Sequence, residues 1–504
     1  MAHASPSSSL TATLTVAAKP SRADRLAPVY AGQGPLFAGV PGLDKKTAAT
    51  ATRLAQARKF AAGCGETLVL PTEQGQWVFL GLGAPERLTR PEFAGALAAG
   101  GAELRKAGAH EASVLLPDPL PAALPTAREA AREAAQALLM AGYAFRPYKT
   151  RGDAPPRARL ELVHADVAGA RAGLRAGQTV GEAVALTRDL VNHPAAVAHP
   201  AWLLEQAHAV ARAAGATCKD IVGEALLRQG YGAIYAVGQA SDYPPALAVL
   251  EYGRPGPQRP TVALVGKGVT FDTGGLDLKG ASNMALMKKD MGGAATVLGA
   301  FQAIAALRLP VHLVAVLGIV ENAVGSRSYR PGDVVRPKAG PSIEITNTDA
   351  EGRVVLADAL GLARTYKPDY LIDLATLTGA CRTALGRDLM GLFCDHEPLR
   401  TAIAAAAAAT GDHVWPLPLW RPYRRKLDSP VADLVNSPSD SMGGAITAAL
   451  FLKEYAGEVA WAHLDCYAWS EGDQPLFPKG GSGAGVRLLV DLIPRLTGQP
   501  ADET

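Results

Sequence analysis

The stretch Val262-Ala-Leu-Val-Gly-Lys267-Gly-Val-Thr-Phe-Asp272-Thr-Gly-Gly-Leu-Asp-Leu-Lys279 opens on a continuous apolar run and passes at once into glycine, lysine and aspartate. A short aliphatic run without polar alternation is the pattern of a strand buried on both faces. Similar runs recur at Ala246 to Glu251, His312 to Ile319, Ile343 to Thr346, Tyr370 to Leu374 and Ala460 to Leu464. Helical stretches lie between them, among them Ala294 to Ala306, Arg353 to Tyr366 and Ala445 to Tyr455. Strands separated by helices predict an α/β domain with a mostly parallel sheet covered on both faces, in which ligands bind beyond the C-terminal strand ends.

Upstream, a helical pattern from about Val167 to Val191 ends at Asn192-His-Pro194. Before it, short apolar runs at Thr67 to Leu70, Trp77 to Leu82 and Ala112 to Leu116 alternate with helical stretches near Glu92 to Ala107 and Ala127 to Met140, predicting a smaller α/β domain. The expected organisation is an N-terminal α/β domain over residues 1–165, a connecting helix over 166–195 and a larger α/β domain over 196–504 that carries the chemistry. A length of 504 residues accords with this at roughly 100 to 200 residues per domain. Apolar residues at 48% and charged residues at 19% exclude a charge-rich disordered chain. The net charge of +3 supplies no global field for nucleic acid or an anionic membrane. No stretch approaches the roughly 18 uninterrupted apolar residues of a membrane span, and Met1 to Ala18 lacks the basic start of a signal peptide. Five cysteines without a C-x-x-C pair fit a reducing compartment, with the cytosol as default.

Two segments carry potential chemistry: Val265 to Lys279, continuing through Met287-Lys-Lys-Asp290, and Asn347-Thr-Asp349-Ala-Glu351-Gly-Arg353. In an extended segment Asp349 and Glu351 would point to one side and address one ligand. If Asp272, Asp290, Asp349 and Glu351 converge, four carboxylates repel unless cations balance them, and two divalent metals would do so. Oxygen-rich ligation suits magnesium or manganese, and zinc also accepts carboxylates. Lys267 could ligate only when neutral, a state that neighbouring dications and burial both favour. Taken singly, these residues have plainer readings. Asp349 and Glu351 resemble a helix-entry pair; Lys288, Lys289 and Arg353 resemble solvated charges; Met284, Met287 and Met291 resemble a core stripe; and His193, His312 and His463 resemble structural histidines. Gly266-Lys-Gly268 lacks the spacing of a phosphate loop, and neither H-E-x-x-H nor G-x-S-x-G occurs.

The joint occurrence of N-T-D-A-E-G-R at 347–353, K-G-V-T-F-D-T-G-G-L-D-L-K at 267–279 and M-K-K-D-M-G-G-A-A at 287–295 resembles the leucyl aminopeptidase family, the cytosolic M17 metallopeptidases. Arg188-Asp-Leu-Val-Asn-His-Pro194, Ala375-Thr-Leu-Thr-Gly-Ala380 and Gly443-Gly-Ala-Ile-Thr-Ala448 extend the resemblance over most of residues 180–490, whereas the first domain matches loosely. The resemblance implies release of N-terminal amino acids from peptides by a metal-activated water. It implies one metal on Asp272, Asp349 and Glu351 and another on Lys267, Asp272, Asp290 and Glu351, filled by Mn2+ or Zn2+, with Mg2+ a further option. Lys279 would stabilise the oxyanion, and Arg353 would bind a bicarbonate serving as general base. Met287, Asn347, Thr376 and Gly379 would line the pocket for the N-terminal side chain. None of those four is charged, which predicts an apolar residue such as Leu there. Family members are commonly homohexamers. Where many of them read H-L-D-I-A-G-T-A-W, this chain reads His463-Leu-Asp-Cys-Tyr-Ala-Trp469, two residues shorter, beside the expected pocket.

Two other functions compete. A two-metal phosphatase or nuclease uses similar carboxylates, but such sites usually recruit histidine and a phosphate field is lacking. A DNA-binding or assembly role needs a basic stripe, and residues 1–165 show only dispersed Arg and Lys, so nucleic acid is not an expected partner.

Overall fold

The computed structural model describes residues 9–32, 35–152 and 156–498; the outer limits of both expected domains lie outside them. The described residues fall into two compact units. The first comprises residues up to 185 with 409–411 and 471–479, and the second comprises 186–408, 412–470 and residues from 480 onward. The division falls within one helix, Val167–Asn192. No helix among the described residues is long and apolar enough to cross a membrane.

In the first unit, strands β1 (Ala12–Ala17), β2 (Asp24–Val29), β3 (Thr67–Thr72), β4 (Gly75–Gly81), β5 (Glu111–Leu115) and β6 (Ala158–Val163) form a sheet of order β1-β6-β5-β2-β4-β3. Only the β3–β4 pair is antiparallel. The helices Arg90–Lys106 and Ala127–Ala141 each start at a capping box, Thr89 with Glu92 and Thr126 with Glu129, which satisfies backbone donors left free at a helix start. The strands at β1 and β2 escape a search for apolar runs because Thr13 and Thr15 in β1, and Asp24 and Arg25 in β2, leave only short apolar pieces.

In the second unit the chain forms β7 (Thr217–Val222), β8 (Ala246–Tyr252), β9 (Thr261–Asp272), β10 (His312–Asn322), the short β11 (Val334–Val335) and β12 (Ile343–Glu344), then β13 (Tyr370–Ala375), β14 (Met390–Phe393), β15 (Val414–Pro416), the short β16 (Leu434–Val435) and β17 (Ala460–Asp465). Eight of these make the main sheet, β15-β14-β17-β13-β9-β10-β8-β7. Its four central strands, β17, β13, β9 and β10, run parallel, and antiparallel partners attach on either side. The short β11, β12 and β16 form a separate sheet.

Strand β9 runs on through Gly266-Lys267-Gly268, although glycine permits a tight turn. Glycine serves close packing here instead: a Cβ on Gly266 would stand 2.6 Å from Ala294 Cα in the helix Gly292–Ala306. Lys267 points to the other face, against Gly352 in the helix Glu351–Arg364, so successive side chains of one strand meet helices on both faces of the sheet. Met284, Met287 and Met291 do not form one helical stripe, because the segment breaks into the short helix Ala281–Met284 and a 3-10 turn at Met287–Lys289. Of the three, only Met291 is buried in the core.

Candidate metal centre

The C-terminal ends of the four parallel strands converge. Asp272 is the last residue of β9, Asn322 of β10 and Asp465 of β17, while Thr376 follows the end of β13. Polar groups gather here because a strand end leaves backbone atoms and following side chains free of the ladder.

Lys267 is buried with its Nζ 2.7 Å from Asp290 Oδ2 and 2.9 Å from Glu351 Oε1, and it donates to Thr376 O at 3.0 Å. Lys279 contacts Asp272 Oδ2 at 2.8 Å and also pairs with Asp349 Oδ1. Asp272, Asp290 and Glu351 each offer an oxygen within 4.8 Å of the others. Gly352 has no room for a side chain, since a Cβ there would meet Lys267 Cε at 2.6 Å.

The loop Asn347–Ala350 corrects the extended reading of Asp349 and Glu351. It is a turn in which Asp349 N donates to Asn347 Oδ1 at 2.8 Å and Ala350 N to Asn347 O at 3.2 Å, and Glu351 is the first helical residue. Asn436 Nδ2 holds the turn from outside by donating to Asn347 O at 2.6 Å. Thr348 ties it to the loop after β9: its Oγ1 donates to Gly274 O at 2.6 Å, and its N–H to Asp277 Oδ2 at 2.7 Å. Gly274, at φ +88, sits where L side chains are strained.

Electrostatics reflects the crowding. Burial raises the Glu351 carboxyl, and the neighbouring Asp272 adds to the rise. Burial and Asp272 likewise raise Asp349. For Asp290 burial pushes upward, but Lys267 and Lys289 outweigh it and the net shift is downward. Burial disfavours charge on Lys267, yet Asp290, Glu351 and Asp272 overcome it and raise its pKa; at Lys279 Asp272 and Glu351 do the same against burial. Asp290 Oδ2, Asp349 Oδ1 and Glu351 Oε1 are buried without a well-directed hydrogen bond, although ammonium groups lie near. Buried carboxylate oxygens left in this condition, in a cluster rich in oxygen donors, fit divalent cations.

Arg353 is buried, not solvated. Its Nη1 donates to Asn436 O at 2.8 Å, its Nε has no hydrogen-bond partner among the described residues, and burial brings its pKa down to about 10, which leaves it a cation at neutral pH. Lys289 is likewise buried, at 5% exposure, and Lys288 donates to Asn192 O at 2.7 Å. Lys267, Asp272, Lys279, Met287, Asp290, Asn347, Asp349, Glu351, Arg353, Thr376 and Gly379 all line one cavity of about 650 Å3.

Several residues of this cavity's framework were not singled out in the sequence. Asn322 is fully buried and donates to Asp272 Oδ1 at 2.8 Å and to Thr348 O at 3.1 Å. Its signal was present, as a polar residue ending the apolar run that began at His312. Asp465 accepts from Leu377 N at 3.0 Å and Thr378 Oγ1 at 2.6 Å, which shapes the wall after β13. His463 and His312 are structural: His463 Nδ1 meets Asp373 Oδ1 at 2.6 Å, and His312 bonds Thr261 and Glu251.

Residues 185–490 match the catalytic domain of the cytosol aminopeptidase family, and residues 28–152 match that family's N-terminal domain. A probable cytosol aminopeptidase of Syntrophotalea carbinolica is 44% identical over 366 residues, covering 71% of this chain and 73% of the relative. Among solved structures, the cytosol aminopeptidase from Coxiella burnetii shares 38% identity at a TM-score of 0.81, covering 95% of this chain and 98% of its own. The bottromycin maturation enzyme BotP in complex with Mn shares 34% identity at a TM-score of 0.83, covering 95% of this chain and all of its own.

Proposed function

The chain belongs to the cytosol aminopeptidase family of metallo-aminopeptidases, and from that premise we propose that it releases the N-terminal residue of peptides at a two-metal site in this cavity, with an apolar first residue such as Leu favoured. The observation that carries the reading is the convergence of Asp272, Asp290 and Glu351, with oxygens within 4.8 Å, around Lys267.

Asp272, Asp349 and Glu351 would hold one ion, and Lys267, Asp272, Asp290 and Glu351 the other. When bound there, divalent ions such as Mn2+ or Zn2+ would supply Lewis acidity toward a peptide carbonyl and toward water near neutral pH. Lys267 has to give up its proton to ligate, and its burial favours that once a dication offsets the carboxylates. Lys279 keeps its charge beside Asp272 and Asp349, and a fixed cation at the cluster's edge stabilises negative charge developing on the substrate oxygen. Arg353 offers a buried guanidinium to a bicarbonate, whose chemistry is that of a general base; among the described residues no histidine lines the cavity. The apolar wall at Met287, with Gly379 leaving space beside it, supports acceptance of a Leu or Met side chain.

The test is release of amino acids from unblocked and N-acetylated dipeptides by metal-loaded protein. Unblocked Leu-Ala should be hydrolysed and its N-acetyl form left intact, with activity abolished by a chelator; equal hydrolysis of both forms would exclude an aminopeptidase. We further propose a homohexamer working in the cytoplasm, which light scattering on the purified protein checks for mass.

A further inference from the structure

One wall of the cavity bears cations outside the ligand cluster. Lys289, in the 3-10 turn beside Met287, holds its Nζ 4.7 Å from the centre of the Tyr467 ring. Arg382, on the helix Gly379–Leu385, brings its guanidinium 5.8 Å from the same ring, and Arg387 stands 5.9 Å away. Lys289, Arg382 and Tyr467 all line the cavity. A ring face attracts these cations and fixes their position but carries no net charge, so it leaves them positive.

Nearby carboxylates are engaged elsewhere. Asp465 accepts from Leu377 and Thr378, Asp290 faces Lys267 and Thr376, and Asp440 pairs with Lys426. Among the described residues, neither Lys289 nor Arg382 has a carboxylate within ion-pair distance. The carboxylate that acts on Lys289 is Asp290, which Lys267 already holds, so a buried ammonium sharing its carboxylate and lining a cavity beside a second cation is stabilised when a further anion joins it.

We propose that Lys289 and Arg382, arranged about Tyr467, form a subsite for a substrate carboxylate. The proposal rests on the aminopeptidase reading and adds a second selectivity to its apolar wall. The carboxylate has two possible sources in a peptide: the side chain of an acidic first residue, or the C-terminus of a short peptide whose first residue lies at the Met287 wall.

Three substrates separate the sources with Mn2+-loaded enzyme: Leu-Ala amide carries neither carboxylate, Leu-Ala carries the C-terminal one and Asp-Ala amide carries the side-chain one. The quantity read is kcat/KM for each acid substrate relative to Leu-Ala amide, in the wild type, Arg382→Gln and Lys289→Met. At least one ratio should fall about tenfold in Arg382→Gln, chiefly through KM, and should shrink with added salt in the wild type. The ratio that falls identifies the source. Because Arg382 is exposed, Arg382→Gln decides the matter even if Lys289→Met fails to fold. Ratios unchanged in the variants overturn the subsite alone. Failure of the wild type on all three peptides overturns the aminopeptidase reading, and the subsite with it.

Discussion

Lys267 and Lys279 both reach the carboxylate cluster, and their surroundings separate their roles. Lys267 is enclosed by Asp290, Glu351 and the Thr376 carbonyl, with Gly352 pressed against its stem, which supports the ligand role proposed for its nitrogen. Lys279 is less enclosed and meets Asp272 and Asp349 from the cavity side. Lys267→Ala should therefore lower bound metal, whereas Lys279→Ala should keep both ions and lower kcat by about 10² to 10³. Elemental analysis beside steady-state kinetics decides, and equal metal loss in both variants would contradict the assignment. Glu351→Ala should lose metal and activity together, since its carboxylate is assigned to both ions; a fully active, metal-free variant would eliminate the mechanism.

Strand β9 has the helix Gly292–Ala306 against one face and the helix Glu351–Arg364 against the other, and small residues make that approach possible. A Cβ on Gly293 would stand 2.0 Å from Leu374 O, a backbone atom that cannot step aside. Gly293→Ala should cost about 1 to 3 kcal/mol or more by overpacking, read as a fall in Tm. Strands β13 and β17 are also joined by Asp373, which accepts from Trp461 Nε1 at 2.7 Å and faces His463. Burial disfavours the His463 cation, but Asp373 overcomes this and raises its pKa above the unfolded value of about 6.5. The stability from this pairing is full below that pH and is lost as pH rises through the folded pKa. Asp373→Asn should lower stability most at the acid end of that window, and its deficit relative to the wild type should narrow as the pH rises. Denaturant unfolding at several pH values tests this, and a deficit that widens toward alkaline pH would refute it.

For the whole molecule, binding metal to the folded site and not to the unfolded chain should raise stability by about 4 kcal/mol at a thousandfold excess over Kd. A chelator-treated sample should melt lower and recover with Mn2+, and melting curves unaffected by metal would argue against a preformed site. Much of that site was legible in the sequence. The motifs that hold Lys267, Asp272, Asp290, Asp349 and Glu351 displayed the polar cluster, and the ligand roles proposed for them came from the family resemblance and not from spacing alone. The apolar runs of β8, β9, β10, β13 and β17 were legible for a similar reason, because burial on both faces keeps a run largely aliphatic and its interior polar residues paired, as Asp373 of β13 is with His463 of β17. The strands β1 and β2 were not, since polar residues interrupt them, and of the supporting frame only Asn322 left a signal, as the polar end of β10, while Thr348 and Asn436 left none. Side-chain type and spacing thus determined which chemistry the chain can perform. Only the tertiary structure decided that Asp349 and Glu351 meet at a turn, that Lys289 and Arg353 are buried, and that cations gather at Tyr467. These depend on segments far apart in sequence coming together at neighbouring strand ends, and local spacing carries no record of that register.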